Sequence, residues 1–438
     1  MLEVFEAKGL KSWLMLAGAV VTLGFSGVSR GDVGLALPPV TDDAVRGVRG
    51  NGFIFVPFVS IEGRYNSNIF RQDSREASLP WTAILSVVPG FKLENPDFSW
   101  VKLTWDAQAR IHQYFSDNEQ AKRQGRIGVD TSLRADFFPR SVVGFFIADK
   151  FIREMVPPNY PTSGTRYDRN VNHAEAGIQI RPGGNALEFA LSYAFNFYLY
   201  DSLTDFNRFY HEARLLTTWD LLPKTTLFLD ADWRYTDWRK QLVGLRVNSM
   251  PLRVSLGLKG FVTKKIGIRV QAGFGKGFYD SGPDYMNFIG EASIGFKPTP
   301  FTLIDLGYDR DFYDAYYANY YVADSAHLKF GQQFARRVNL TIQGKYSYIG
   351  YASYTPDPTT YAGITPNQAS RRGHGVTATV DLAWSAIRYI SLNVGYTFRA
   401  MFTDFRIDYP DATVPGGVGH DYGGYMAHEV YLRLSLMY

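Results

Sequence analysis

The C-terminal segment constrains this chain more than any other. From Glu429 to Tyr438, apolar side chains fall at every second position: Val430, Leu432, Leu434, Leu436 and Tyr438. Tyr431, Arg433, Ser435 and Met437 fill the positions between. A period of two belongs to a β-strand, whose successive side chains point to opposite faces. One face of this strand suits hydrocarbon, and the other, carrying a guanidinium, suits water. A single strand cannot sit in a membrane, because each unpaired N–H or C=O group in lipid is strongly unfavourable. A lipid-facing strand therefore needs a partner on each edge, and a sheet without edges is a closed barrel.

The rest of the chain offers the other strands. In VKLTWDAQARI, Val101, Leu103, Trp105, Ala107, Ala109 and Ile111 form one face, and Lys102, Thr104, Asp106, Gln108 and Arg110 form the other. A helix would smear these charges around its circumference, whereas a strand separates them completely. The same alternation recurs at 127–137, 174–180, 187–199, 227–235, 252–262, 338–348, 376–384 and 390–398. It is blurred at 142–154 and 301–312, where apolar or Gly residues occupy both faces. The pattern predicts an all-β transmembrane antiparallel β-barrel of about 18 strands. Pro89 and Pro251 each remove a ladder donor, which predicts a bulge or strand end at both places. A soluble sandwich or propeller is the competing fold, but no repeat of propeller-blade length is present.

The links between these segments alternate in length. Short ones at 95–97, 139–140, 182–185, 223–224, 263–265, 298–300 and 335–336 mostly hold Pro, Gly or Asn. Longer polar links lie between them at 71–80, 155–170, 236–248, 350–372 and 403–425. Outer-membrane barrels combine short periplasmic turns with long extracellular loops in this way, with an even strand number and both termini periplasmic. A barrel of 18 strands about 4.8 Å apart, tilted near 40°, is roughly 35 Å across, too wide for side chains alone to fill.

Composition agrees. The 438 residues are 46% apolar, and no apolar run long enough for a membrane helix follows the N-terminus. Aromatic residues reach 16%, as belts at two membrane interfaces require. The absence of Cys removes disulfides, lipoprotein anchoring, Cys-ligated zinc and thiol catalysis. A net charge of +4 without a basic block gives no footing for nucleic acid. Lys8 and Lys11 before an apolar core at 13–25 read as a secretory signal. The expected division is a signal peptide and cleavage region at 1–36, a short periplasmic segment at 37–52, and the barrel at 53–438.

The polar faces are where function is expected. They hold Lys102, Asp106, Gln108 and Arg110; Asp130, Arg134 and Asp136; Asp230, Asp232 and Arg234; Arg253 and Lys259; Asn393 and Arg399; and Arg433. Mixed signs on so many inward positions predict a hydrated lumen. No catalytic, cofactor or metal motif stands out. HEARL from His211 and HEVYL from His428 begin like a zinc-protease helix but end in Leu215 and Leu432. His112, His173 and His327 read as lumen-facing polar groups. Gly273, Gly275 and Gly277 alternate in a strand, leaving room for a neighbouring aromatic. Asp408, Asp411 and Asp421 lack the spacing of a calcium loop and read as a mobile polar loop. The sequence gives no support for an enzyme.

Two further features carry a resemblance. Leu432, Leu434, Leu436 and the terminal Tyr438 resemble the C-terminal signal that the outer-membrane barrel assembly machinery reads. YNSNIFR at 65–71, followed by VVPGFKLE at 87–94, resembles the N-terminal hairpin of the putative beta-barrel porin-2 family. That hairpin reads Tyr-Asp-Asp-Asn, an apolar pair and Arg, then Pro-Gly in the returning strand; here Asn66 and Ser67 stand at the acidic positions. The resemblance implies integral residence in a Gram-negative outer membrane, in contact with its lipid. It further implies export of an exopolysaccharide together with a periplasmic polysaccharide-export protein. A general diffusion porin for small hydrophilic solutes is the alternative, and a surface-binding or adhesive barrel acting through its loops is a third.

Overall fold

The computed structural model describes residues 47–73, 79–95, 100–154, 168–183, 186–241, 246–315, 318–352, 365–366, 372–403, 406–411, 417–422 and 424–438. Its wall is a closed antiparallel barrel of 18 strands. In chain order these are β1 (Phe53–Asn66), β2 (Thr82–Glu94), β3 (Val101–Phe115), β4 (Ile127–Phe137), β5 (Val143–Glu154) and β6 (Arg169–Ile180). There follow β7 (Leu187–Tyr200), β8 (Arg208–Leu222), β9 (Thr225–Trp238), β10 (Ser249–Thr263), β11 (Ile266–Tyr279) and β12 (Tyr285–Phe296). The last six are β13 (Thr302–Asp314), β14 (Tyr320–Phe334), β15 (Val338–Tyr351), β16 (Arg372–Ile387), β17 (Ile390–Thr403) and β18 (Tyr425–Met437).

Each strand pairs with its neighbours in sequence, and β18 closes the circle against β1. Phe58 faces Met437, Ile61 faces Leu434, and Asn66 faces Glu429. The Tyr438 N–H donates to the Pro57 carbonyl (3.1 Å), and its ring stacks on Tyr389 at 6.0 Å. Both ends of the barrel sheet thus meet at the short-link rim. The signal expected at 1–36 lies outside the described residues. Ahead of β1, the short strand Val48–Gly50 folds back onto Phe53–Phe55 and extends the wall there.

Burial is inverted relative to a water-soluble protein. Ile61, Leu85, Leu256, Leu328 and Leu434 are exposed, whereas Ser60, Glu62, Ser86, Asp232 and Ser255 are buried. The sorting follows the alternation of the strand: residues at even spacing from Leu434 face outward, and their neighbours face in.

Two expectations are corrected. Pro89 and Pro251 neither end their strands nor cause a bulge. Pro89 pairs with Val59, but the β2–β3 ladder skips from Val87–Ile111 to Gly90–Gln108. Pro251 pairs with Gly277, but the β9–β10 ladder skips from Trp233–Leu252 to Thr236–Ser249. The register is the same on both sides of each skip, so the missing N–H costs a local gap on one edge. Asp408, Asp411 and Asp421, read as loop, lie on short strands, Arg406–Asp411 and Gly417–Tyr422, which pair with each other. Thr365–Pro366 adds a third strand.

Candidate functional site: the barrel lumen

The inward register brings ionisable side chains together in clusters. Across the closure, Glu62 of β1 accepts from Arg64 Nη2 (2.6 Å) and from Arg433 Nε of β18 (2.6 Å). Arg64 Nη1 reaches Glu429 (2.8 Å), whose other oxygen lies 3.6 Å from Arg399. The Tyr431 hydroxyl donates to Asp381 of β16 (2.5 Å). It passes over β17 at Gly395, where a Cβ would meet the Tyr431 ring at 2.2 Å. That contact requires a residue without a side chain.

A second cluster lies on the inner wall near β10. Arg253 Nη1 donates to Asp232 (3.2 Å) and its Nε to Asp311 (3.0 Å). Asp314 accepts from Thr236 (2.8 Å), Ser249 (2.8 Å) and Tyr279 (3.1 Å). These partners come from β9, β10 and β11, whereas Asp311 and Asp314 belong to β13. Strands that are not neighbours can meet only on the inside of the wall, so the end of β13 leans into the lumen.

Most of the remaining charges are matched closer to home. Arg214 binds Asp230 through two nitrogens (2.8 and 2.7 Å), and Arg234 binds Glu212 (2.9 Å). Arg110 and Gln108 each lie 3.4 Å from Asp130. Arg134 pairs with Asp136 (2.7 Å) while its guanidinium covers Phe146. In the ladders Lys102 stands opposite Asp136, Asp106 opposite Lys92, Lys259 opposite Arg269, and Asn393 opposite Arg433. His112 bonds Ser86 (2.7 Å), His173 bonds Asn196 (2.5 Å), and His327 bonds Asp305 (3.0 Å). His211 and His428 instead face outward, each bonded to a Tyr hydroxyl, Tyr193 and Tyr396.

Sequence reasoning did not single out Glu62, Arg64, Asp381, Glu429 or Tyr431, although their alternation with Ile61 and Val430 was a usable signal. Asp311 and Asp314 lie where the alternation fails, and no sequence signal marks them. Gly275 and Gly277 do make room for an aromatic: a Cβ on either would meet the Phe312 ring, at 2.5 and 2.9 Å.

A closed barrel with an apolar outer wall and a charged, hydrogen-bonded interior is an outer-membrane porin. The chain belongs to the putative beta-barrel porin 2 family, whose sequence profile matches residues 43–418. No curated protein matches it. Among solved structures it is similar to Pseudomonas aeruginosa OpdK with vanillate, at 10% identity and a TM-score of 0.48, covering 88% of this chain and 99% of that one. It is also similar to Pseudomonas aeruginosa OccK11 (OpdR), at 12% identity and a TM-score of 0.44, covering 88% and 96%. The FrpB iron transporter of Neisseria meningitidis is similar at 7% identity and a TM-score of 0.45, covering 87% and 81%. Likeness at this level says nothing about what the barrel carries.

Proposed function

We propose that this barrel is a passive diffusion channel for small hydrophilic solutes, with weak preference for either ion sign. The observation that carries the reading is the pairing of the inward charges. Arg64, Arg399 and Arg433 share Glu62 and Glu429, Arg253 shares Asp232 and Asp311, and Arg214 and Arg234 each have a carboxylate. A strongly selective pore sets rows of one sign along the path, whereas compensated pairs leave a polar wall with little net field. The lumen-lining role of the sequence-derived set, from Lys102 to Arg433, is part of this proposal. Exopolysaccharide export is what the family resemblance implies. Among the described residues, nothing in the lumen favours a polymer over a small solute.

Planar-bilayer recording with the purified barrel tests this. Steady conductance with a reversal potential near zero across a salt gradient supports it. A strong preference for one ion sign overturns it, as does absence of conductance. In cells, deletion of the gene should slow small-solute uptake and leave surface polysaccharide intact. The opposite pair of results would favour export.

A further inference from the structure

Between β12 and β13 the wall parts before the strands end. Their ladder runs from Phe296 opposite Ile304 to Gly290 opposite Arg310 and stops. Yet β12 reaches back to Tyr285 and β13 runs on to Asp314. Among the described residues, the flanking pairs behave differently: β11–β12 is laddered to Tyr285 and β13–β14 to Asp314.

Continuing the β12–β13 register would set Phe288 opposite Phe312. All four backbone groups of those two residues are instead held by side chains. The Phe288 N–H donates to Asn287 Oδ1 (2.7 Å) and the Phe312 N–H to Asp311 Oδ1 (2.7 Å). Arg253 Nη2 donates to the Phe312 carbonyl (2.6 Å), and the Tyr285 hydroxyl to the Phe288 carbonyl (3.4 Å). Bare groups at this depth would be strongly unfavourable in lipid, but capped groups are not bare. The two strands can therefore stand apart without a ladder.

What fills the gap is aromatic. By the alternation of β13, Phe312 belongs with the outward Leu306 and Tyr308, yet it is 0% exposed. Its ring stacks on Tyr285 at 4.0 Å and sits in the space left by Gly275 and Gly277, with Arg253 across its face at 4.4 Å. Ile289, Tyr320 and Val322 complete the lining. On the outer side, Met286 and Phe288 are 65% and 51% exposed. Phe288 lies eight residues above the end of β12, a rise of about 20 Å along a tilted strand, within an apolar band about 25 Å tall. The outward ion pair of Arg310 with Asp324 (2.7 Å), joined by the Tyr308 hydroxyl (2.6 Å), sits one rung nearer the short-link rim, at the last paired position of the ladder. The links above the gap, 280–284 and 315–319, are short.

We propose that this gap is a lateral passage between the lumen and the outer leaflet, taking small apolar molecules of aromatic character, with Phe312 as the side chain that fills it. This goes beyond the diffusion of hydrophilic solutes along the barrel axis. Opening it exchanges the Tyr285–Phe312 stack for contacts with the entering molecule and breaks no wall ladder.

The test is photolabelling of the full chain in lipid vesicles, with a trifluoromethyl aryl diazirine dissolved in the bilayer and adducts mapped by peptide mass spectrometry. Outward residues such as Phe288 should be labelled in any case. The passage predicts added labelling of Tyr285, Ile289 and Phe312, and none of Phe228 or Tyr431, inward aromatics on stretches where the ladder on each side is unbroken. Labelling of outward residues alone overturns the proposal. Equal labelling of Phe228 and Tyr431 also overturns it, because the probe would then have entered through the aqueous lumen. In a heat-modifiable, folded Phe312→Ala barrel, labelling of Tyr285 should rise about three- to tenfold, as expected for loss of an aromatic stack. No change on that substitution would remove Phe312 from the role.

Discussion

The Tyr431 hydroxyl lies 2.5 Å from the Asp381 carboxylate, two strands away across the inner wall, with Gly395 beneath it. The bond joins β18 to β16 without using the strand between them. It ties the terminal strand to the sheet by a route independent of the ladder.

Tyr431→Phe removes that donor and leaves a half-buried carboxylate short of a partner, which should lower unfolding stability by about 1–3 kcal/mol. Gly395→Val should have at least as large an effect, since its side chain would collide with the Tyr431 ring. Denaturant titration of the barrel in vesicles measures both. A Phe variant as stable as the parent would mean the bond contributes nothing.

Ion preference should respond to the closure cluster with a sign that can be worked out. Glu62→Gln with Glu429→Gln leaves Arg64, Arg399 and Arg433 uncompensated, so the channel should become anion-preferring. Arg64→Gln with Arg433→Gln leaves the two carboxylates in excess and should shift it toward cations. Reversal potentials across a potassium chloride gradient should move in opposite directions for the two variants. Shifts of the same sign would show that these residues do not set the field in the pore.

Removal of 432–438 strips nearly half of β18 from β1 and β17, leaving unpaired edges on both. The truncated chain should fail to yield a heat-modifiable, protease-resistant barrel. A folded product would mean that the remaining strands can close without it.

The absence of native Cys makes the orientation testable. Ser163→Cys and Thr359→Cys, on the long links, should react with an impermeant thiol reagent on whole cells, while Gly184→Cys and Thr299→Cys should not. Of these positions only Thr299 is among the described residues, in the link between β12 and β13. The opposite labelling would invert the barrel.

The wall was readable because its chemistry is periodic. Segment 127–137 coincides with β4, and 390–398 lies at the start of β17, which runs on to Thr403. Strand ends at the long-link rim were less visible, because lipid no longer enforces alternation there: β9 extends to Trp238 and β16 begins at Arg372. In the lumen, the parity of a residue was visible but its partner was not. Lys102 and Asp106 could be placed on one face, whereas the meeting of Arg253 with Asp311 depends on the inward lean of β13. Phe312 shows the limit most clearly. Its position in the alternation points outward, and only the missing ladder beside it explains why its ring lies inside.

The contacts across β1 and β18 also bear on fidelity during assembly. A slip of one residue would turn Leu432, Leu434 and Leu436 into the lumen, so the apolar pattern itself rejects it. A slip of two residues escapes that check, because every side chain keeps its face. Charge does the sorting instead. In the native register Ser60 bonds Ser435 at 2.8 Å and Glu62 holds Arg433. Sliding one way sets Arg64 against Arg433, two like charges on facing strands. Sliding the other way leaves Arg433 opposite Ser60 and Glu62 opposite Tyr431. The pairs that line the pore therefore serve as a code for closing the ring, rejecting the near-miss joins that greasiness alone would accept.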